Sequence, residues 1–444
     1  MGKSMTASTN GAMWTRRGIL AAAAGAATTA ALAACTGGGS GGGNGGGGVL
    51  KFWNMPWGGT AFNPLDKKIS EAYKPAAGLP PVRYQAVQWS NFTSTFATAI
   101  ASNTGPAVSS GSGTQAFQFA AEGKIAYADD LIDSWKKDTL YDDFLPGLFD
   151  TMKTKDGYAA VPYNLDMRVL WYSKSLLAKA GVQPPTDWQS YLDVCEALKK
   201  IGVYGFGIAA GPQGNGFQMI VGLMINNGGG IFDADQKPNL VTEANIQTLD
   251  FIVEMVRKGY MDPASVGYST TNAQTEWKAQ KFGMGYEGPG LANQLGGQFA
   301  DDIVVGDPLV SASGKKGALY FPNNIMMYTN TPSQKDSEAF MTYYYKHMAP
   351  LWTKKTGIGL PVLKSIAATP EFQSDPNAAK CISAWQPISK TWAAPGGDAL
   401  FKNVTLVDST PPMSDFAQSL LSQKATPKQA LTTLQKTLES KIKK

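Results

Sequence analysis

The stretch that decides the fold begins with Val49-Leu50-Lys51-Phe52-Trp53 and continues to residue 122. Predicted strands over 49–53, 82–87 and 107–108 alternate there with predicted helices over 62–73, 89–102 and 114–122. Short apolar strands that alternate with amphipathic helices are typical of a parallel or mixed open sheet. The sequence therefore predicts an α/β fold.

The second half of the chain continues in the same style. Thr186-Asp187-Trp188-Gln189 has the composition of a capping box that opens a helix, and residues 201–208 are predicted to form a strand around glycines. Further helices are predicted from Thr242, over 333–347, and from Thr426-Pro427. The body from 49 to 444 is too long for one hydrophobic core, so we expect two lobes.

The composition excludes several classes of function. Removing the three positive charges of residues 1–34 from the net charge of +5 leaves a mature chain near +2. A chain so close to neutral does not indicate a nucleic-acid partner. No spacing of cysteine and histidine predicts a metal site, and no phosphate-binding glycine motif is present, so we expect neither metal nor cofactor.

The first 48 residues predict export and a lipid anchor. Residues 1–34 form a predicted signal peptide, in which Arg16-Arg17 resembles a twin-arginine export signal. Leu32-Ala33-Ala34-Cys35 resembles the bacterial lipobox, whose cysteine receives the lipid; an ordinary cysteine after a plain cleavage site is the alternative. Residues 35–48 are then the lipidated cysteine and a flexible glycine-rich tether.

Four stretches in the body carry a resemblance to one family. They are Gly105-Pro106-Ala107-Val108 with the segment to Gly123, Asp156-Gly157-Tyr158 through Lys174, Ala180-Gly181-Val182 through Trp188, and Lys281-Phe282-Gly283-Met284 with Gly288-Pro289. In this order they resemble the extracellular solute-binding proteins of ABC importers, in the sugar-binding family that includes maltose-binding protein. One departure is Gly290, where the family often has tryptophan.

The resemblance implies a fold, a function and a location. It implies a two-lobe periplasmic-binding-protein-like fold, in which each lobe is an open mixed sheet flanked by helices, with a hinge between. Lobe one would be 49–162 plus 305–347, and lobe two 163–304 plus 348–444. The protein would be a monomer, held to the outer face of the cell membrane by its lipid alone, that captures a neutral carbohydrate and delivers it to importer permease subunits. A lipid anchor of this kind suits a Gram-positive bacterium.

Sugar binding needs planar polar side chains for the hydroxyl groups and aromatic rings for the C–H faces. Residues of these kinds that the family order brings to the cleft are candidate ligand contacts: Asn54, Trp57, Ser112, Thr114, Gln115, Asn164, Asp166, Arg168, Gln213, Asn215, Tyr286, Glu287, Trp385 and Trp392. Gln218 is a further candidate in the glycine-rich segment after Gln213. Asp166 aligns with a sugar-contacting carboxylate of the maltose type.

Other interpretations of several candidates stay open. Trp57 could be a surface loop residue, Asp166 and Arg168 could form a structural pair, and Trp385 and Trp392 could belong to the core. The residues from Ser112 to Gln115 could simply cap a helix.

The remaining reactive residues also have alternatives. Cys195 and Cys381 are either buried thiols or a disulfide. His347, the only histidine, is predicted on the apolar face of its helix, which argues against a nucleophilic hydrolase. A charged or phosphorylated ligand is the alternative within the binding class, and a secreted glycoside-acting enzyme is the alternative outside it.

Overall fold

The strands of the computed structural model lie in two sheets. The structure describes residues 48–89, 91–329, 333–408 and 410–443, so the predictions on Cys35, the signal peptide and the tether up to residue 47 lie outside the described residues. The strands are β1 (Leu50–Asn54), β2 (Val82–Ala86), β3 (Val108–Ser110), β4 (Ile125–Ala126), β5 (Val161–Met167), β6 (Val169–Ser173), β7 (Met284–Glu287), β8 (Ile303–Val305), β9 (Ala318–Tyr328), β10 (Leu360–Pro361) and β11 (Ser389–Lys390).

The larger sheet is mixed and has the order β10-β5-β9-β3-β1-β2, with β4 and β11 also pairing with β9. Strand β1 runs parallel to β2 and β3, whereas β9 runs antiparallel to β3 and β5. All residues of β9 are buried, which is the burial expected of a central strand covered on both faces. The carboxyl ends of β1, β2 and β3 therefore meet at one edge.

The smaller sheet has the order β7-β6-β8, with both pairs antiparallel. Strand β6 begins two residues after β5 ends, so the chain passes from the larger sheet to the smaller one at Arg168. The α/β class and the open sheets flanked by helices are as predicted from the sequence. The boundaries proposed for the two lobes stay a prediction.

The helices pack around these sheets. They are α1 (Phe62–Glu71), α2 (Phe92–Ala101), α3 (Gln115–Ala121), α4 (Asp129–Lys137), α5 (Leu140–Asp143), α6 (Lys174–Ala180), α7 (Trp188–Lys200), α8 (Gly216–Asn226), α9 (Glu243–Arg257), α10 (Thr270–Lys278), α11 (Leu291–Leu295), α12 (Phe299–Asp302), α13 (Gln334–His347), α14 (Pro350–Thr353), α15 (Lys364–Ala367), α16 (Pro370–Gln373), α17 (Pro376–Lys380), α18 (Pro411–Leu421) and α19 (Pro427–Ile442). Short 3₁₀ segments cover Phe149–Met152, Pro263–Gly267, Gln386–Ile388 and Lys402–Leu406, and a π-helical turn covers Cys381–Trp385.

The helix starts agree with the predicted capping residues, with one shift. Thr242 and Thr426 accept hydrogen bonds from backbone N–H groups of the first turns of α9 and α19, as expected of N-caps. Helix α7 was predicted to open with a capping box formed by residues 186–189. Its N-cap is Asp187, and the second residue of the capping box is Ser190. A side-chain oxygen satisfies an otherwise unpaired N–H group in each case.

Two expectations from the sequence are wrong. Residues 201–208 form only isolated bridges at Tyr204 and Gly207. The backbone there is pressed against α7, where a Cβ on Gly205 would lie 2.5 Å from Cys195 Sγ. His347 is exposed rather than in the core, and it stacks on Tyr343 at the end of α13.

The two cysteines of the body are buried, free thiols, so the disulfide alternative is excluded. Burial raises the pKa of both thiols. Across the described part of the chain we find no helix with the length and apolar character of a membrane span.

Candidate functional site

A cavity of about 570 Å³ lies at the carboxyl ends of the first three strands. Trp57 follows β1, Trp89 follows β2 and Ser112 follows β3, and all three line the cavity. Its opposite wall comes from the start of α8 and the end of β7, including Asn215 and Glu287. This is the position at which open α/β sheets bind ligands, and the volume lies within the range of small-molecule sites, about 300–1,000 Å³.

One wall of the cavity is aromatic. Trp57 and Trp89 meet edge to face with their ring centroids 5.0 Å apart, and Trp89 meets Phe92 in the same way at 5.5 Å. Trp89 is 39% exposed, and its indole N–H donates to the carbonyl of Pro56. These three rings therefore present a rigid apolar surface beside the cavity opening.

Strand β5 supplies a polar row to the floor of the cavity. Because side chains alternate along a strand, Asn164 and Asp166 lie on the same face, and Arg168 follows directly after the strand. All three line the cavity. Tyr163, on the other face, is fully buried.

Arg168 is held by several partners at once. Its Nη1 donates to both carboxylate oxygens of Asp166 at 2.8 and 2.9 Å, and its Nε and Nη2 donate to Gln218 Oε1. The guanidinium lies 4.8 Å from the ring centroid of Phe321, in cation–π contact. Arg168 and Asp166 are therefore both a structural pair and part of the cavity wall. Asp166 keeps 32% of its side chain exposed.

The wall from the smaller sheet carries a buried carboxyl group. Glu287 is 6% exposed, and Asn215 Nδ2 donates to its Oε2 at 3.0 Å. Burial raises the pKa of Glu287 above its ordinary value, although the bond from Asn215 and the charge of Arg168 act against the shift.

A second group of aromatic rings lies opposite the first. Trp392 stacks on Phe217 at 6.1 Å, nearly parallel, and meets Phe321 at 5.6 Å, and all three line the cavity. Aromatic rings on two sides of a polar floor suit a ligand that has both C–H faces and hydroxyl groups.

Two buried donors in the wall have no protein acceptor among the described residues. They are Asn164 Nδ2 and Trp392 Nε1. Asn164 is 1% exposed and Trp392 is 2% exposed. An unmet buried donor costs about 1–3 kcal/mol, so a ligand with oxygen acceptors would gain from meeting them.

The start of α3 contributes hydroxyl groups. Ser112 Oγ and Thr114 Oγ1 are 3.3 Å apart, and Thr114 Oγ1 donates to Asp408 Oδ2 at 3.3 Å. All three residues line the cavity. Residues far apart in the sequence are therefore joined directly at the site.

Several predicted site residues lie elsewhere. Asn54 is fully buried behind Trp57, and Gln115 is buried behind the loop that precedes α3. Tyr286 is buried and packs edge to face on Trp385 at 6.2 Å, and the Trp385 indole donates to the carbonyl of Gly306. None of these four residues lines the cavity.

Two other predicted residues, Gln213 and Gln218, line the cavity. Gln213 lines the cavity and is exposed. Gln218 lies in the buried helix α8 rather than in a loop.

Sequence reasoning missed several residues of the wall: Trp89, Phe92, Phe217, Thr270, Gln294, Phe321, Asn323, Asp408 and Ser414. Trp89 could have been found, because it follows the second strand as Trp57 follows the first. Phe321 and Asn323 come from the interior of the buried strand β9, and Asp408 comes from a segment with no strand or motif near it. No local signal distinguishes such residues from core or loop residues.

The charges in the wall do not favour an anion. Of the described residues that line the cavity, Arg168 is the one cation, and it is already engaged by Asp166. The carboxyl groups are those of Asp166, Glu287 and Asp408. In the described ranges no three histidine, cysteine, aspartate or glutamate residues lie close enough to hold a metal ion.

The fold and the cavity between its two sheets define a solute-binding protein of the two-lobe type. A model of the family described as bacterial extracellular solute-binding protein matches residues 56–349. This match covers more than half of the chain, which therefore belongs to that family.

Solved structures and curated proteins agree with this assignment. A sugar transporter from Arthrobacter chlorophenolicus A6, crystallised with bound laminaribiose, is 45% identical, with a TM-score of 0.82 over 88% of this chain and 99% of that one. The maltose-bound MalE3 of T. maritima is 16% identical, with a TM-score of 0.72 over 88% of this chain and 99% of that chain, and shows the shared fold alone. A binding protein of Brucella abortus (strain 2308) is 24% identical over 345 residues, which are 73% of this chain and 80% of the relative.

Proposed function

We propose that the protein is the lipid-anchored capture subunit of an ABC importer and that it binds a neutral carbohydrate of disaccharide size. The observation that carries the proposal is the pair of unmet buried donors, Asn164 Nδ2 and Trp392 Nε1, in a cavity with aromatic rings on two sides. Sugar hydroxyl, ring and glycosidic oxygens are acceptors for such donors, and pyranose C–H faces pack on aromatic rings.

The ligand class is narrowed further by one relative. The Arthrobacter protein that is 45% identical along most of this chain was crystallised with laminaribiose, a disaccharide of glucose. Laminaribiose is therefore the first ligand to test. A phosphorylated sugar is disfavoured, because the guanidinium of Arg168 is already paired with Asp166 and other carboxyl groups line the same cavity.

Anchoring and delivery complete the proposal. Leu32-Ala33-Ala34-Cys35 would place a lipid on Cys35, and the glycine-rich segment that follows would leave the body free to move. A receptor on such a tether, at the outer face of a Gram-positive cell membrane, would stay close to its permease. Ligand capture needs no chemistry on the sugar, so we expect no turnover.

Titration calorimetry of the purified protein tests this function. The panel of ligands is laminaribiose, cellobiose, maltose, glucose and glucose 6-phosphate. We expect a neutral disaccharide to bind with micromolar or tighter affinity, and we expect no heat of binding from glucose 6-phosphate. Binding at 100 times Kd would also add about 2.7 kcal/mol to the free energy of unfolding. Binding of glucose 6-phosphate but of no neutral sugar would contradict the proposal. Release of glucose from a disaccharide during incubation would also contradict it.

A further inference from the structure

A fully buried polar cluster lies directly behind Trp57. Its centre is Asp66, on α1, which is 0% exposed. Tyr344 Oη donates to Asp66 Oδ1 at 2.6 Å, and Asn54 Nδ2 donates to Asp66 Oδ2 at 2.7 Å. Tyr163 Oη is 2.8 Å from Tyr344 Oη. In the described ranges no lysine, arginine or histidine forms an ion pair with Asp66.

Hydrogen bonds at both ends of the Asn54 amide fix which way it points, and the Asp66 carboxyl group holds the nitrogen end. Only the NH₂ end of an amide can donate to a carboxylate, so the bond to Asp66 fixes the Asn54 nitrogen towards α1. The amide oxygen must then face the other way. It accepts hydrogen bonds there from the indole N–H of Trp57 at 3.1 Å, from the backbone N–H of Met55 at 2.9 Å and from the Ser110 hydroxyl.

Trp57 depends on this arrangement for its orientation. Its Nε1 bonds to Asn54 Oδ1 and to Ser110 Oγ, both at 3.1 Å, and its ring meets Tyr163 and Trp89 edge to face. If the Asn54 amide turned over, its NH₂ group would face the indole N–H, and two donors would then oppose each other.

We propose that Asp66 and Asn54 are positioning residues for ligand binding: the Asp66 carboxylate orients the Asn54 amide, and the amide oxygen holds the Trp57 indole in the wall of the cavity. Neither residue lines the cavity, so both act through Trp57. The inference rests on the proposed function only in that Trp57 contacts the ligand.

Burial of the Asp66 carboxyl group costs free energy, and this cost supports a role for the cluster beyond packing. Burial raises the pKa of Asp66 from 3.8 to about 6, although bonds from Tyr344 and Asn54 lower it. A leucine would fill the same interior without this cost. A buried ionisable group that supports a residue of a binding site is the arrangement by which proteins preorganise such sites.

A double-mutant cycle on the full chain tests the proposal with laminaribiose as the probe. Asn54→Leu and Asp66→Leu should each weaken binding about tenfold or more in the folded protein. In a Trp57→Phe background, which keeps a ring but lacks the N–H group, the same changes should alter Kd less than about twofold. Equal losses in both backgrounds would overturn the proposal.

An exchange of the two residues supplies a rescue. In Asn54→Asp with Asp66→Asn, the new carboxylate can accept from Trp57 and Ser110, and the new amide can donate to that carboxylate and accept from Tyr344. The bonds that orient Trp57 can therefore form again. We expect the affinity to return to within about threefold of the native protein. An exchanged protein that folds but binds as weakly as Asn54→Leu would contradict the mechanism.

A matched control exists outside the cavity wall. Asn226 Oδ1 accepts from the indole of Trp188 at 2.8 Å, and neither residue lines the cavity. Asn226→Leu removes the same kind of bond, so it should lower the melting temperature and leave Kd unchanged. An effect on Kd as large as that of Asn54→Leu would show that loss of any such bond weakens binding, and would defeat the proposal.

A measurement without ligand separates this inference from the proposed function. The near-ultraviolet circular dichroism spectrum of each protein is recorded with and without the change Trp57→Phe. The difference between the two spectra is the contribution of Trp57. We expect Asn54→Leu to change that difference spectrum and Asn226→Leu to leave it as it is. An unchanged spectrum in Asn54→Leu would refute the positioning role. Failure to bind any disaccharide would refute the proposed function alone.

Discussion

Asn323 on β9 lies opposite Asn164 on β5, and its Nδ2 donates to Asn164 Oδ1 at 3.0 Å. The bond fixes the Asn164 amide with its oxygen towards β9, which leaves the NH₂ group without a protein acceptor in the described part of the chain. A cross-strand pair in the larger sheet thus prepares a buried donor for the cavity.

The first prediction concerns this donor. Asn164→Ala removes the NH₂ group, and we expect a loss of affinity for the bound disaccharide of roughly five- to thirtyfold, equivalent to about 1–2 kcal/mol. Titration calorimetry measures it. Asn245→Ala is the control, because Asn245 is equally buried and bonds to backbone groups away from the cavity. Equal affinities for Asn164→Ala and the native protein would remove Asn164 from the site.

The second prediction concerns the indole of Trp392. Trp392→Phe keeps an aromatic ring on Phe217 but lacks the N–H group, so affinity should fall about three- to tenfold. Trp385→Phe makes the same chemical change where the indole donates to Gly306 and does not line the cavity. It should lower stability and leave Kd alone. The reverse pattern would show that the ligand does not use Trp392.

The third prediction concerns Asp166. Asp166→Ala leaves the guanidinium of Arg168, only 9% exposed, without its ionic partner. Because Asp166 itself is one-third exposed, we expect a loss of about 1–2 kcal/mol in the free energy of unfolding, together with at least tenfold weaker binding.

Urea denaturation and calorimetry measure the two effects of Asp166→Ala. Asp133→Ala breaks an exposed ion pair with Lys136, which solvent screens, so it should leave stability close to that of the native protein. Unchanged binding in Asp166→Ala would exclude ligand contact.

The fourth prediction is a dependence of stability on pH that comes from Asp66. Its pKa is raised from 3.8 to about 6 in the folded protein, so between these values the native state binds more protons than the unfolded state. The contribution of Asp66 to the free energy of unfolding is therefore complete below pH 4 and is lost as the pH rises through 6. The free energy of unfolding of the native protein, relative to Asp66→Asn, should fall by on the order of 2–3 kcal/mol between pH 4 and pH 7.

Urea denaturation at the two pH values provides this comparison, and the difference between the two proteins removes the titration of other groups. A difference that stays constant with pH would mean that Asp66 titrates in the folded protein as it does in the unfolded one.

The fifth prediction concerns anchoring. Cys35→Ala removes the thiol that the lipobox-like segment would present for lipidation. We expect the native protein to fractionate with membranes and to partition into detergent, and the variant to appear in the medium. Release of both proteins in equal amounts would exclude the lipid anchor. The binding constants of the two should agree, because the cavity lies wholly in the body.

The elements of the fold were predictable where the signal was local. The first strands and helices, and the N-caps Thr242 and Thr426, lie within a few residues of their predicted positions, because apolar period and capping chemistry depend on near neighbours. The strand predicted over 201–208 is absent because this segment pairs with residues 281–285 only at the isolated bridges of Tyr204 and Gly207, and such pairing depends on a remote segment. The prediction for His347 was wrong although the predicted face of α13 is the buried one. Phe340 and Tyr344 on that face are in the core, but His347 is the last residue of the helix and is exposed.

By itself, the sequence determined the α/β class, because that class depends on the order and period of residues along the chain. Its motifs also carried the resemblance to the family, and that resemblance made Asn164, Asp166 and Arg168 candidate ligand contacts. Only the tertiary structure decided which side chains share the cavity. Phe321 and Asp408 line the cavity although their segments contain no local sequence signal of a binding site. Asn54 lies behind Trp57 because its amide donates to Asp66 on α1. A binding site depends on distances between remote segments, and these distances exist only after the sheets and helices have packed.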